Sequence, residues 1–373
     1  MAHIGADTSF EESIREDVPL APLTTLGIGG PAKFFAEVTN SQNLIDGIAW
    51  ARSRSMPVFV LGGGSNVVIS DRGFTGLVLH VKLCGVETRV EGPGAIITAG
   101  AGENWDSLVA MSVARGWAGF ECLSGIPGSV GATPIQNVGA YGQEVSETFV
   151  SLEAVDTEQG EVVSLGAGEC EFGYRTSRFK TRDRDRFIIT SVTYRLMRDG
   201  RPAIRYPEIE RYVEEHVTGE PSLADVRESV LAIRRRKAMV IDPNDPDSRS
   251  VGSFFVNPVV TREELEQIRE RVERRGGRSD MMPQFPAGED RVKLSAAWLI
   301  ERAGFERGYR HGNVGISTRH ALAIVNRGGG TASEVMELAE EMKSRMLNAF
   351  AIELITEPVA VGFDELPDCI ISG

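Results

Sequence analysis

The sequence predicts a mixed helix-and-strand protein, α/β or α+β in class, on three observations. Short apolar runs such as Val58-Phe59-Val60-Leu61 read as buried strands. Amphipathic stretches between them carry their own capping residues and read as helices. Glycine is 41 of 373 residues, about 11% against a usual ~7%, and clusters near 27–30, 62–64, 125–142 and 328–330.

Taken in order, residues 1–18 are polar and read as loosely ordered. Residues 41–55 read as a helix with Leu44, Ile45, Ile48 and Ala49 on one face. Strands follow at 58–61, 67–69, 76–81 and 96–99. Asn104 can cap a helix over 104–115 that buries Trp105, Leu108, Val109 and Val113 and stops at Gly116. Strands recur at 151–156 and 187–196. The Pro- and charge-rich block 198–222 reads as a connector, and 222–237 as a helix ending in Arg234-Arg235-Arg236-Lys237. Residues 242–247 (DPNDPD) interrupt regular structure and mark a domain boundary. Thr261 with Glu264 and Thr331 with Glu334 form capping boxes before two amphipathic helices. Strands are expected at 321–325 and 352–361.

Composition excludes several classes. The net charge, 40 − 53 = −13, argues against a nucleic-acid partner, although local basic residues can still focus an anionic small substrate. Cys84, Cys122, Cys170 and Cys369 are scattered, which excludes a disulfide framework or zinc pattern and fits a reducing compartment. His3, His80, His216, His311 and His320 have no metal-ligand spacing, so no metal is expected. No apolar run approaches the ~20 residues of a membrane span, and the N-terminus, with Asp7, Glu11 and Glu12, has no apolar signal core. A cytoplasmic protein without a membrane partner is expected, as a monomer.

Two glycine-rich loops carry the chemistry. In SGIPGSVGATPIQNVGAYG (124–142), Gly125, Gly128 and Gly131 recur every third residue. Bare amides in such a turn make an anion-binding concavity. The same spacing also suits a surface loop with no ligand. Residues 61–66 (LGGGSN) lie between two strands and lack the lysine of a P-loop; they suit a pyrophosphate or a β-hairpin turn. Together the loops read as a two-sided cradle for a phosphate-bearing cofactor. Residues 27–32 (GIGGPA) fit a dinucleotide fingerprint by spacing, but a strand rather than a helix should follow, so that reading is rejected.

Elsewhere, Arg175 in FGYRTSRFK suits a bidentate grip on a carboxylate or a surface ion pair. Ser253 in GSFFVN is a small hydroxyl beside apolar bulk, and Glu357 precedes Pro358 after an apolar strand. The 234–237 basic run reads as a solvated helix face.

Taken as a set, TTLGIGGPA (24–32), VLGGGSNVVISD (60–71), 124–142, FGYRTSRFK (172–180), VGSFFVNP (251–258), KLSAAWLIERAG (293–304) and GISTRHALAIVN (315–326) resemble the MurB family of UDP-N-acetylenolpyruvoylglucosamine reductases. The resemblance implies an α+β architecture: a two-lobed FAD-binding fold of the vanillyl-alcohol-oxidase type, with lobes at 19–85 and 86–222 and a C-terminal α/β substrate-binding domain at 223–373. It implies noncovalent FAD, NADPH as co-substrate and a UDP-sugar substrate. It assigns catalysis to Arg175, Ser253 and Glu357. It assigns cofactor binding to Gly62, Gly63, Gly64, Ser65, Asn66, Ser124, Gly125, Ile126, Gly128, Ser129, Thr133 and Gly139. Tyr206, Lys237 and Asn257 match substrate contacts. Pro207 follows Tyr206 where the family more often has glycine, and the tyrosine itself points to the subgroup with a tyrosine loop over the sugar. The rival readings are an FAD oxidase of the same fold acting on an alcohol or lactone, and a non-catalytic flavin- or nucleotide-binding regulator.

Overall fold

A computed structural model describes residues 10–363 and 369–371. The first nine residues of the expected loose N-terminus therefore lie outside the described residues. From Arg15 to Pro19 the chain is a strand, antiparallel to Pro31–Val38, which corrects the expectation of looseness there. Its burial is slight, so its polar sequence gives no period-two signal.

The first sheet runs in the order Arg15–Pro19, Pro31–Val38, Phe74–Val81, Val58–Leu61, Cys369–Ile371, and every pairing after the first is parallel. Helix α1 (Ser41–Arg52) covers it, with Asn40 accepting from the Asn43 amide at its start. α1 buries Leu44, Gly47, Ile48 and Ala51; Ala49 faces solvent, so the buried stripe is rotated from the expected one.

The second sheet is antiparallel, in the order Glu161–Gly166, Phe149–Asp156, Phe187–Arg198, Gly94–Gly100, Val86–Glu91. Helix α2 (Trp105–Ala114) is capped by Asn104 as expected, and Trp105 and Leu108 enter the core. That core is shared between the sheets: Leu77 and Leu79 of the first pack with Ile97, Leu152 and Val192 of the second. Burying this much apolar surface fixes the two lobes against each other.

The expected connector contains a helix, α3 (Pro207–His216). Pro207 occupies its first turn, where the missing N–H costs nothing, and Ile209 and Val213 form its single buried stripe. Four glutamates on the remaining faces hide that pair in the composition. α3 packs with Cys122 against helix α4 (Leu223–Arg236). α4 therefore stands against the second lobe, although the sequence reading groups it with the substrate-binding part.

The last third builds its own core from α5 (Arg262–Arg274), α6 (Ala296–Arg302), α7 (Ala332–Phe350) and two small sheets. Both capping boxes form as expected. The strand expected at 321–325 is displaced to Ile324–Asn326, because the preceding residues form a turn. The strand expected over 352–361 is confined to Val359–Val361, parallel to Val67–Ile69. Thr356 instead bridges to Phe255, so that part of the segment is spent on the site described below.

Candidate active site

The loop 62–66 joins two different sheets, because Val58–Leu61 pairs in the first sheet while Val67–Ile69 pairs with Val359–Val361. This removes the hairpin reading. It meets the 124–133 loop directly: a β-carbon on Gly63 would lie 2.6 Å from Gly128 Cα, and one on Gly128 would lie 2.7 Å from Ser65 Oγ. Ser65 Oγ donates to the Pro127 carbonyl at 3.1 Å, and Asn66 Nδ2 donates to Gln136 Oε1 at 3.1 Å. The amides of Gly63, Gly64, Ser65 and Asn66, and those of Ile126, Gly128 and Ser129, donate to no acceptor among the described residues. Facing rows of free amides are the donor set a pyrophosphate requires. Behind them Val60, Val81, Ala101, Ile188 and Ile189 line a narrow apolar slot of about 20 Å³ between the lobes. These residues fit FAD.

The other cofactor candidates fall into two groups. The Ser124 hydroxyl donates to Glu121 O, Thr133 Oγ1 bonds Val130 O and the Tyr194 hydroxyl, and the Gly125 amide donates to Asp106 Oδ1. These groups are engaged within the protein, one layer behind the free amides. Gly139 and Ile126 line cavity walls.

Two cavities, about 360 and 140 Å³, meet along Gly139, Arg175, Arg234 and Ser253. The smaller one also touches Ser65, Asn66, Ile126 and Glu357. The larger takes in Tyr206, Lys237 and Asn257. The structure thus brings Arg175 and Ser253 to the seam, with Glu357 beside them in the smaller cavity, and the three substrate candidates to the larger one. A larger cavity of about 580 Å³ lies elsewhere, between the end of α1 and the turns at 157–158 and 184–186.

Arg175 sits in a turn closed by Gly173 N to Thr176 O at 3.0 Å and Thr176 N to Gly173 O at 3.2 Å. Its φ of 54° is left-handed, a conformation held only where the surroundings impose it. The guanidinium donates to the Gly139 carbonyl and, at 3.5 Å, to that of Asn137. Its Nε lies 3.9 Å from Glu357 Oε1. Burial pushes the Glu357 carboxyl above its ordinary range, against the opposing pull of Arg175 and Lys180. The Glu357 carbonyl accepts from Asn66 Nδ2 at 3.3 Å, which ties the cofactor loop to the acid.

Ser253 Oγ lies 3.4 Å from His320 Nε2. Burial, reinforced by Lys237, Arg234 and Arg307, pushes the His320 pKa down to about 4. Asn257 hydrogen-bonds the Tyr174 hydroxyl and accepts from the Ala296 amide at 2.9 Å. Lys237 Nζ donates to Glu208 Oε2 at 2.6 Å, and Tyr206 packs edge-on against Tyr141 at 5.5 Å. Arg175, Arg234, Lys237 and Lys293 line the larger cavity, with Glu144 as an acidic neighbour. The net negative charge of the chain thus coexists with a cationic cavity.

Sequence reasoning missed Arg234, His320, Lys293, Tyr174 and Asp106. Arg234 corrects the reading of 234–237 as a solvated helix face. It is 9% exposed, lies on the face of α4 that carries Val230, and leaves its buried Nε without a partner among the described residues. His320, Lys293 and Tyr174 stand inside motif segments already singled out, but their types gave no separate signal. Asp106 follows Trp105 in α2 and looked like an ordinary first-turn carboxylate.

A two-lobed fold with an amide cradle beside a cationic cavity defines a flavin-dependent oxidoreductase. Residues 32–166 match the FAD binding domain family, and residues 243–361 match the family described as UDP-N-acetylenolpyruvoylglucosamine reductase, C-terminal domain. The chain is 47% identical to the UDP-N-acetylenolpyruvoylglucosamine reductase of Thermobifida fusca, covering 94% of this chain and 98% of that protein. It is 46% identical to that of Streptomyces coelicolor, covering 93% and 90%. The crystal structure of the Thermus caldophilus reductase matches at 25% identity with a TM-score of 0.61, covering 94% of this chain and all of the other. The chain belongs to the UDP-N-acetylenolpyruvoylglucosamine reductase family.

Proposed function

We propose that this chain reduces UDP-N-acetylglucosamine enolpyruvate to UDP-N-acetylmuramate in peptidoglycan precursor synthesis, with NADPH as reductant and noncovalent FAD. The observation that carries the reading is the convergence of Arg175, Ser253 and Glu357, from three separate segments, on the smaller cavity between the amide cradle and the cationic one.

The loops 62–66 and 124–133, with Gly139, would hold FAD, which would supply hydride-transfer chemistry between the nicotinamide and the enolpyruvyl β-carbon. Arg175 faces the substrate carboxylate and stabilises the charge that spreads into it, a preorganised electrostatic role. Glu357, whose protonated form burial favours, hydrogen-bonds the same carboxylate through that form. Ser253 delivers a proton to the α-carbon. Lys237, Tyr206 and Asn257 hold the sugar and its diphosphate, and Arg234 and Lys293 add positive charge. Lys237 must leave Glu208 to do so. Residues 19–85 and 86–222, joined by α4 and strand Cys369–Ile371, form the FAD lobes, and the rest of 223–373 the substrate-binding domain, in a cytoplasmic monomer.

The test is spectroscopic. Purified protein should be yellow, bleach with NADPH under anaerobic conditions, and recolour when the enolpyruvyl sugar is added. Flavin that NADPH cannot reduce, or that only oxygen reoxidises, would overturn the reading.

A further inference from the structure

Ser253 and His320 are brought together by two independent restraints. The Phe254 amide donates to the Leu322 carbonyl at 2.8 Å, which sets the residue after Ser253 beside the residues after His320. The 317–320 turn is held from behind by Asp247, which is 4% exposed. Its Oδ2 accepts from the Thr318 amide at 2.8 Å, from the Ser317 hydroxyl at 3.2 Å and from the Thr318 hydroxyl. The Pro- and Asp-rich segment 242–247, which looks in sequence like a mere boundary, thus supplies the anchor that presents His320. The cations facing the imidazole, Lys237, Arg234 and Arg307, disfavour a second proton on it. A neutral imidazole has one N–H to give and one lone pair.

We propose that His320 is the positioning residue for Ser253: with its single hydrogen on Nε2, it donates to Ser253 Oγ and turns the hydroxyl hydrogen into the cavity. This rests on the reading of Ser253 as proton donor. In that step the Ser253 Oγ–H bond breaks and its electron pair stays on Oγ. The carbanion pair on the substrate α-carbon forms the new C–H bond. The His320 Nε2–H bears on the negative oxygen left behind, as an oxyanion donor does, until solvent water reprotonates it. A protonated Nδ1 with a bare Nε2 does the opposite, drawing the serine hydrogen away from the substrate.

The half-reactions of His320→Ala, His320→Gln, Ser253→Ala and the double Ala variant, followed by stopped flow, test this. His320→Ala should slow reoxidation by the enolpyruvyl sugar by about 100-fold, the loss typical of one oxyanion donor, while NADPH reduces the flavin at the normal rate. His320→Gln should recover most of the rate, because its amide still donates. The double variant should be no slower than Ser253→Ala. Nitrogen-15 NMR of histidine-labelled protein should show His320 neutral with its proton on Nε2. A normal reoxidation rate in His320→Ala, equal slowing of both half-reactions, an additive double variant or a proton on Nδ1 would overturn the role of His320 alone. A normal rate in Ser253→Ala would remove the proton-donor reading, and this inference with it.

Discussion

The main-chain amide of Glu357 donates to the carbonyl of Phe254 at 2.9 Å, so the buried acid is held in register with the residue next to Ser253. Val256 N to Ile355 O at 3.0 Å extends this short antiparallel pairing. Two catalytic candidates far apart in sequence are therefore set by one piece of backbone. Their spacing does not depend on side-chain rotamers alone, which is the rigidity a preorganised site needs.

The raised pKa of Glu357 gives a pH dependence of definite sign. The usual glutamate value is ~4.3, and burial places this one higher. The protonated form that hydrogen-bonds a carboxylate therefore persists above that value and is lost as pH rises through the raised pKa. Reoxidation by the enolpyruvyl sugar should fall along an alkaline limb in the native enzyme. Glu357→Gln should flatten that limb, and Glu357→Ala should cost ~100-fold on the plateau below it, about 2.7 kcal/mol, with the gap narrowing along the limb. An unchanged pH profile in Glu357→Gln would assign the limb to another group.

Arg175→Lys should not be conservative. The guanidinium spans two carbonyls and still directs its Nε toward Glu357, which a single ammonium on a flexible stem cannot do. Reduction by NADPH should survive, while transfer to the sugar slows roughly tenfold or more, at ~1.4 kcal/mol per factor of ten. Normal turnover would make Arg175 a structural ion pair only.

Gly63→Val and Gly128→Val should each give colourless protein. The β-carbon at Gly63 would lie within 2.6 Å of the facing loop's backbone, and Gly128 has a φ of 119°, which side chains rarely adopt. Either change forces the two rows of free amides apart. Flavin absorbance per mole of protein measures the outcome, and full occupancy in both variants would refute the cradle.

Much of this was legible in the sequence because it rests on local chemistry. Thr261 with Glu264 and Thr331 with Glu334 cap their helices as the residue pairs require. The rejected fingerprint at 27–32 does lead into a strand, Pro31–Val38. What was not legible depends on long-range placement. Arg234 looks like its solvated neighbours until α4 is packed on the second lobe. His320 becomes meaningful only beside Ser253. The 352–361 run reads as one strand, but its middle is diverted to position Glu357. α3 was hidden because only Ile209 and Val213 mark its buried face.

Asp106 carries the last prediction. Arg227 grips it with two hydrogen bonds, at 2.6 and 2.9 Å, while the Gly125 amide donates to it at 2.6 Å. Burial alone would raise this carboxyl; the Arg227 fork and the Gly125 amide outweigh burial and hold it below its ordinary range. The pairing braces the cofactor loop against α4. Asp106→Asn should lower stability at neutral pH by about 2 kcal/mol, the usual scale for hydrogen bonds to a charged group, and should weaken flavin binding. Because the folded pKa is depressed, the stabilisation is complete above the unfolded value of ~3.9 and is lost as pH falls through the lower, folded one. The gap between native and variant urea midpoints should therefore hold from pH 7 to about pH 4 and close only below it. A gap that already closes between pH 7 and 5 would mean that the carboxyl is not held low, and that the brace on Gly125 lies elsewhere.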